Sequence, residues 1–393
     1  MLNQAVILCG GFGKRLFPIT KKIPKAMASV NGKPFLFYLI EQCKNNGIKK
    51  ILLLCGYKFK VIQKYFGNGK KFGINIQYHI NPPNIETYKR IYDAKNYLED
   101  KFLLLYSDNY CSLNLHDMMT HYQNLKTNFL ITICKKKNNG NILINKKKNI
   151  VKSYLVKKKN SNLVEVGYII IDKKIVLDFF KNKNESFNEL LINNIKKKRV
   201  NYYLNDTGYL SISDIERLKI TRKFFKKKII LIDRDGVLNL KNKNHYYVRN
   251  LKELKINFIF IKRFRKFLIK KKLLCISNQA GIATGDLTHK NLKLINNRIK
   301  EIYSKYNIQI YDFFISDAHF LSNNYYRKPN HGLFLRALSK YNFILDRACY
   351  IGDDIRDIEV SYRAKTKCLY LGKEKLNKEQ KIKYKYTLTN KIL

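Results

Sequence analysis

Tryptophan is absent from this 393-residue chain, and there are only 6 prolines, 4 methionines and 29 acidic residues against 78 lysines and arginines. No stretch of about 18 consecutive apolar residues occurs, which argues against a membrane-spanning helix. No C-x-x-C pair occurs among the 8 cysteines; they are scattered, and Cys9, Cys55, Cys134 and Cys275 lie inside apolar runs. That usage argues against a disulfide framework and fits reduced thiols in a cytoplasmic protein. The opening residues pass almost at once into an apolar run at 5–8, without the basic stretch and apolar core of a secretory leader, so none is expected.

The shortage of acids leaves a formal net charge of +49. Nucleic-acid binding is the sharp reading of such a charge. The lysines, however, are spread over the whole chain together with abundant Asn, Ile and Tyr, as a bias toward AT-rich codons would produce. Runs such as 135–137, 146–148, 157–159 and 196–198 fall at expected loops or helix ends. Neither nucleic acid nor membrane is therefore expected as a partner, whereas a basic field still favours anionic small molecules such as phosphates. A hydrophobic content of 45% over this length suits two or three domains with buried cores.

With acids so scarce, their placement is informative. Residues 229–232 form an apolar, β-branched run that stops at Asp233 and Asp235, followed by Gly236. Such a run has the length of a fully buried strand. Buried parallel strands end where ligands bind. Two carboxylates at that edge are costly unless a metal or a reaction uses them; the plain alternative is a solvated turn. Further strands are expected at 273–276, ending in Ser277-Asn278-Gln279-Ala280-Gly281, and at 312–315, with Arg327-Lys328-Pro329 beyond. A last one at 348–351 ends in Gly352-Asp353-Asp354, with Asp357 one turn on. Helical patterns at 259–271, 287–306 and 333–340 alternate with these strands, as in a parallel α/β sheet. A hydroxyl followed by an amide suits phosphate oxygens, although Ser277 could equally be a cap.

The four strand ends, in that order, resemble the haloacid dehalogenase (HAD) phosphatase superfamily over residues 228 to about 372. The resemblance implies that Asp233 attacks phosphorus and that Asp235 serves as general acid and base. It implies Mg²⁺ on Asp233, the backbone carbonyl of Asp235, and Asp353. Ser277, Asn278 and Lys328 would bind the phosphoryl group, and Arg327 a second phosphate. Asp354 and Asp357 would be supporting or helix N-terminal groups. Asp233-Arg234-Asp235-Gly236-Val237-Leu238-Asn239 and Ser277-Asn278-Gln279-Ala280-Gly281-Ile282 resemble the D-glycero-D-manno-heptose 1,7-bisphosphate phosphatases, and histidinol-phosphate phosphatases share much of this pattern. The spacings leave little room for a large cap. Those families often carry a structural zinc; the matching positions here are Asp317, His319, Asn324 and Tyr326, so no tetrahedral zinc is expected.

The first half opens with a strand and then Gly10-Gly11-Phe12-Gly13-Lys14-Arg15-Leu16. Glycines let a backbone approach phosphate closely, and a following helix would aim N–H groups at it. Pro24-Lys25-Ala26-Met27 and Asn31-Gly32-Lys33-Pro34 follow, and a later strand at 102–106 ends in Ser107-Asp108-Asn109. This arrangement resembles the sugar-1-phosphate nucleotidyltransferases over most of residues 1–220. The resemblance implies that Gly10, Gly11, Gly13, Arg15 and Lys25 hold nucleoside triphosphate and sugar phosphate, that Asp108 binds Mg²⁺, and that Lys157 contacts sugar phosphate. Three departures stand out: Lys14 replaces Thr, Glu86-Thr87-Tyr88-Lys89-Arg90 replaces Gly-Thr-Ala-Gly, and Ser211 stands where a second metal aspartate belongs. Asp206 and Asp214 are the nearby acids that could substitute.

The expected fold is α/β with two Rossmann-like domains: a nucleotidyltransferase mixed sheet, then a HAD-like doubly wound parallel sheet without a large cap. The expected limits are 1–220, a linker at 221–228, a second domain at 229–375 and a partly extended tail at 376–393. The expected activity is a Mg²⁺-dependent sugar bisphosphate phosphatase fused to a sugar-1-phosphate nucleotidyltransferase. Alternatives are a phosphatase with a catalytically degenerate first half, a histidinol-phosphate-type phosphatase, and a basic nucleic-acid-binding protein. Sugar phosphate and nucleoside triphosphate are the expected partners; homo-oligomerisation is left open.

Overall fold

A computed structural model describes residues 2–136, 140–155, 161–179, 185–242 and 247–390; Lys157, His245 and Tyr246 lie outside them. The chain forms two compact units, Met1–Lys223 and Phe224–Leu393. The division falls inside the helix Ile215–Lys226, so the segment expected as a linker is largely helical.

The first unit is built on a mixed nine-stranded sheet. Its leading strands are parallel and run, across the sheet, Asn75–Ile80, Lys50–Cys55, Gln4–Cys9 and Lys101–Tyr106. The long strand Leu163–Asp172 then enters antiparallel, between Lys101–Tyr106 and Phe129–Lys135. The apolar runs are buried on both faces, as sheets covered by helices require. One core gathers Val6, Leu52, Leu104, Ile131 and Ile169 under Tyr88, Ile91, Leu190 and Leu191. The glycine-rich segment differs from expectation. No long helix follows it; three short 3-10 turns do, at Lys14–Leu16, Ile19–Lys21 and Lys25–Met27. Pro18 and Pro24 explain this, because proline cannot continue a helix interior.

The second unit holds a five-stranded, all-parallel sheet in the order Ile310–Ser316, Lys272–Asn278, Ile229–Ile232, Cys349–Gly352, Lys367–Tyr370. Side-chain alternation along the central strand splits the core in two. Ile230 and Ile232 pack with Phe260, Ile261, Ile295 and Ile299, while Ile229 and Leu231 pack with Leu333, Phe334 and Ala337. The helices start on side-chain caps: Asn257 for Phe258–Leu268, Thr288 for His289–Lys305, and Asp354 for Ile355–Arg363. Among the described residues no cap domain is inserted; the 3-10 turn Leu251–Glu253 is the only helical or strand segment between Ile232 and Phe258. No helix among the described residues is long and apolar enough to cross a membrane.

The tail corrects the sequence reading. It was expected to be partly extended, yet Lys378–Lys383 is helical and Tyr384 is buried against Ile358, Tyr362 and Cys368. Periodicity did not show this, because one tyrosine and its hydroxyl contact with Glu359 anchor the segment. Tyr384→Ala is expected to destabilise the second unit by about 3 kcal/mol, as large-to-small core changes do. Denaturant unfolding followed in that unit checks it; an unchanged midpoint would show that the tail contributes nothing.

Candidate active sites

The carboxyl edge of the parallel sheet gathers the acids. Asp233 follows the central strand and is buried, and Lys328 reaches it from the segment beyond Ile310–Ser316, with Nζ 3.0 Å from Oδ1. The same ammonium lies 2.8 Å from Asp357. Asp357 also accepts from the Tyr350 hydroxyl and from the backbone N–H groups of Asp353 and Asp354. It completes the capping box that Asp354 opens, so both acids sit at a helix N-terminus. Burial pushes the Asp233 carboxyl above its ordinary range, against the pull of Lys328.

Asp235 is held differently. Arg234, fully buried, donates to both of its oxygens at 3.1 Å, and Gln279 and Asn239 donate at 2.6 and 2.9 Å. Burial alone would raise this carboxyl, but Arg234 and the two amides outweigh it and hold it below the usual range. Arg234 also donates to Gln279 at 2.7 Å and to Asn296 at 3.3 Å. Arg234, Asn239 and Gln279 stand in the sequence motifs without an expected role, and Asn296 and Tyr350 were not foreseen. A signal existed for the first: an arginine between two acids at a buried strand end must find acceptors.

Ser277 is buried and accepts from Gln279 at 2.9 Å. The Asn278 side chain is committed to Lys328, donating to its carbonyl at 3.0 Å and accepting from its N–H at 2.9 Å. The amide expected to bind phosphate thus holds the lysine segment. Arg327 is buried and donates to Ala318; burial and the nearby Arg356 lower its pKa.

The residues fit a hard cation. Asp233, Asp353 and Asp357 bring carboxylate oxygens within 4.8 Å of one another, the one such gathering among the described residues. Asp357 has both oxygens engaged, one by Lys328 and Tyr350 and the other by the N–H groups of the helix cap, whereas Lys328 meets Asp233 at Oδ1; Asp233 and Asp353 are the acids that could ligate. Asp353 Oδ1 is buried without a hydrogen-bond partner, while Oδ2 receives Lys241 at 2.6 Å. Gly236 makes the space: its φ is 90°, and a Cβ there would fall 2.2 Å from Asp353 Oδ2. An all-oxygen set of this kind suits Mg²⁺. His319 Nδ1 accepts from the Leu321 N–H.

The first unit presents a second site. A cavity of about 500 Å³ is lined by Gly10, Gly11, Gly13, Lys25 and Asp108, and by Glu86, Thr87, Arg90 and Tyr106. Arg15 is exposed and outside this lining. Lys25 and Asp108 pair at 2.5 Å. Gly10 is required by Arg90, whose guanidinium would lie 2.3 Å from an added Cβ. Ser211 sits in register with Asn109, donates to the Asp108 carbonyl at 3.1 Å and shares a hydrogen bond with Ser213. The position beside Asp108 is therefore filled by a hydroxyl. Asp214 is turned to the N–H and guanidinium of Arg217 and does not replace the missing acid. Glu165, unforeseen from the sequence, is buried nearby; burial raises its pKa to about 7.

Lys328→Ala would leave Asp233 and Asp357 buried without their shared cation. It is expected to cost about 3 kcal/mol in the second unit. Chemical unfolding measures it; a loss under about 1 kcal/mol would mean the pair is solvated.

Residues 4–209 match the family model described as Nucleotidyl transferase, and residues 228–385 that described as Polynucleotide kinase 3 phosphatase. The D-glycero-alpha-D-manno-heptose 1-phosphate guanylyltransferase of Campylobacter jejuni is 30% identical over 213 residues, 53% of this chain and 94% of that protein. A probable glucose-1-phosphate cytidylyltransferase of Bacillus subtilis is 27% identical over 216 residues, 49% of this chain and 84% of that protein. A solved structure from Bacillus anthracis, titled a "Putative Glucose-1-Phosphate Thymidylyltransferase", shares the fold, with a TM-score of 0.51 at 17% identity, over 56% of this chain and 94% of that one. The chain belongs to the nucleotidyl transferase family through its first unit, and its second unit is a phosphatase domain of the haloacid dehalogenase type.

Proposed function

We propose that the second unit hydrolyses a sugar bisphosphate of the D-glycero-D-manno-heptose 1,7-bisphosphate type. The first unit then joins the resulting sugar 1-phosphate to a nucleotide. The observation that carries this reading is the pairing, in one chain, of the Asp233–Lys328 site with a domain 30% identical to a heptose 1-phosphate guanylyltransferase. The phosphatase supplies what such a transferase consumes. The setting is the cytoplasm, and the product feeds surface polysaccharide.

In the phosphatase, Asp233 attacks phosphorus and the phosphorus–oxygen bond to the sugar breaks. Asp235, whose present partners hold it ionised, must first take up a proton from solvent; it gives that proton to the departing oxygen, then takes one from water as that water opens the aspartyl-phosphate. For that, one of its oxygens must exchange an amide partner for the leaving group. Lys328 and Ser277 hold the phosphoryl oxygens while charge builds. Arg327 receives the second phosphate. A Mg²⁺ held by Asp233, Asp353 and the Asp235 carbonyl would offset phosphoryl charge. In the first unit, Lys25 and the glycine loop hold the phosphates in line for attack by the sugar phosphate oxygen on the α-phosphorus, and Asp108 would hold Mg²⁺.

A second reading of the phosphatase has its own support. The matching model is named for a polynucleotide 3-phosphatase, and the net charge of +49 would favour a polyanion. For the first unit, Ser211 in place of an acid favours a degenerate site.

Phosphate release from heptose 1,7-bisphosphate is expected to need Mg²⁺, to stop with a chelator, and to fall at least 1,000-fold in Asp233→Asn. Release that survives the substitution would sink the aspartyl-phosphate route; faster release from a 3′-phosphorylated oligonucleotide would favour the second reading. For the first unit, heptose 1-phosphate with a nucleoside triphosphate is expected to give pyrophosphate, at least 100-fold less in Asp108→Asn. Silence with every triphosphate would make the site a remnant.

A further inference from the structure

One helix of the second unit combines charge of a single sign with uncovered hydrocarbon. Phe258–Leu268 packs inward through Phe260, Ile261, Phe264 and Leu268, each at most 9% exposed. The Asn257 cap fixes its start, and Arg265 donates to the Tyr306 carbonyl at 3.0 Å. Its outward face falls into two rows at four-residue spacing. Phe258, Lys262 and Lys266 make one, which runs on to Lys270 in the turn that follows; Ile259, Arg263 and Phe267 make the other. All are exposed, Ile259 at 79%, Phe258 at 54% and Phe267 at 53%.

The lysines elsewhere in the chain do not make such a face. The helices Ile215–Lys226, His289–Lys305 and Ile355–Arg363 each pair a cation with an acid one turn away, Glu216, Glu301 and Glu359. Between Ile256 and Lys272 there is no Asp or Glu, so the cations of Phe258–Leu268 have no acid of their own helix to meet. Large apolar side chains set among them are costly in water, and such patches mark contact surfaces.

We propose that this face docks on an anionic lipid bilayer. Charge complementarity sets the sign of the partner, and the apolar residues set its kind. A second copy of the chain would bring cations against cations. A nucleic acid would satisfy the cations, but Ile259, the most exposed residue of the face, has no ring to stack on a base. A bilayer supplies anionic headgroups and, within a side chain's depth, hydrocarbon. Phe258, Ile259 and Phe267 enter the acyl boundary, while Lys262, Lys266 and Lys270 lay their stems along it and keep their ammonium groups among the headgroups. The inner face is already packed and the start already capped, so docking requires no folding of the helix. The helix lies on the surface; none among the described residues is long and apolar enough to cross. The expectation of no membrane partner came from composition along the whole chain, which does not resolve one face of one helix.

The chain has no tryptophan, so Ile259→Trp gives the face its own fluorophore. In the full chain its emission is expected to shift to the blue with vesicles of phosphatidylcholine carrying about 30% phosphatidylglycerol, and to stay put with phosphatidylcholine alone. Tyr97→Trp, at an exposed position of the first unit, is expected not to shift with either. Co-sedimentation with the anionic vesicles is expected to weaken by about tenfold or more in the double variant Ile259→Ser and Phe267→Ser, which keeps every charge and, being at exposed positions, the parent's melting temperature. Equal sedimentation of that variant would show that the field of the whole chain suffices and would overturn the inference. So would a fluorophore at 259 that ignores the vesicles, or one that responds only to a single-stranded oligonucleotide, which would make the face a nucleic-acid surface.

Discussion

The second unit depends on one buried ammonium. Lys328 stands between Asp233 and Asp357, and all three side chains are at most 10% exposed. In a medium of low dielectric, two such carboxylates would expel each other or take up protons. One cation between them makes the strand end tenable. Much of the surrounding construction serves to hold that cation in place. Asn278 grips its backbone with both ends of an amide, Tyr350 bonds its ammonium, and the helix cap fixes the far carboxylate.

The first unit handles charge differently. It sets a single acid, Asp108, against Lys25 and places a hydroxyl at Ser211. Its second fixed charge is a guanidinium under the glycine loop, bound to carbonyls rather than to a carboxylate. With only 29 acids in the chain, neither arrangement is diluted by random carboxylates.

How much of this could be read from the chain follows from how local each feature is. The strand Ile229–Ile232 was legible to the residue because a four-residue β-branched run between lysines and Asp233 is too short for a helix. Asp233, Lys328 and Asp353 were legible as a set because each ends or follows a strand of the same sheet. The Asn278 latch was not, since an amide at a strand end looks the same whether it faces a ligand or a backbone 50 residues on. Nor was the buried tail, which hangs on Tyr384, or the turn-rich path after Gly13, where two prolines outweighed the helix that glycine loops commonly precede. Ser211 was recognised as a departure, but its bond to Asp108 required the pairing of two three-residue strands.

Arg234 carries a consequence for how this protein can change over generations. Its guanidinium ties together Asp235, Gln279 and Asn296, which come from the first strand end, the second strand end and the helix His289–Lys305 that follows. Residues in one such network do not contribute independently. Losing any one strands a buried charge or amide, so drift at these positions must be concerted. The four act as one block, so a second substitution among them is expected to cost less than it would alone.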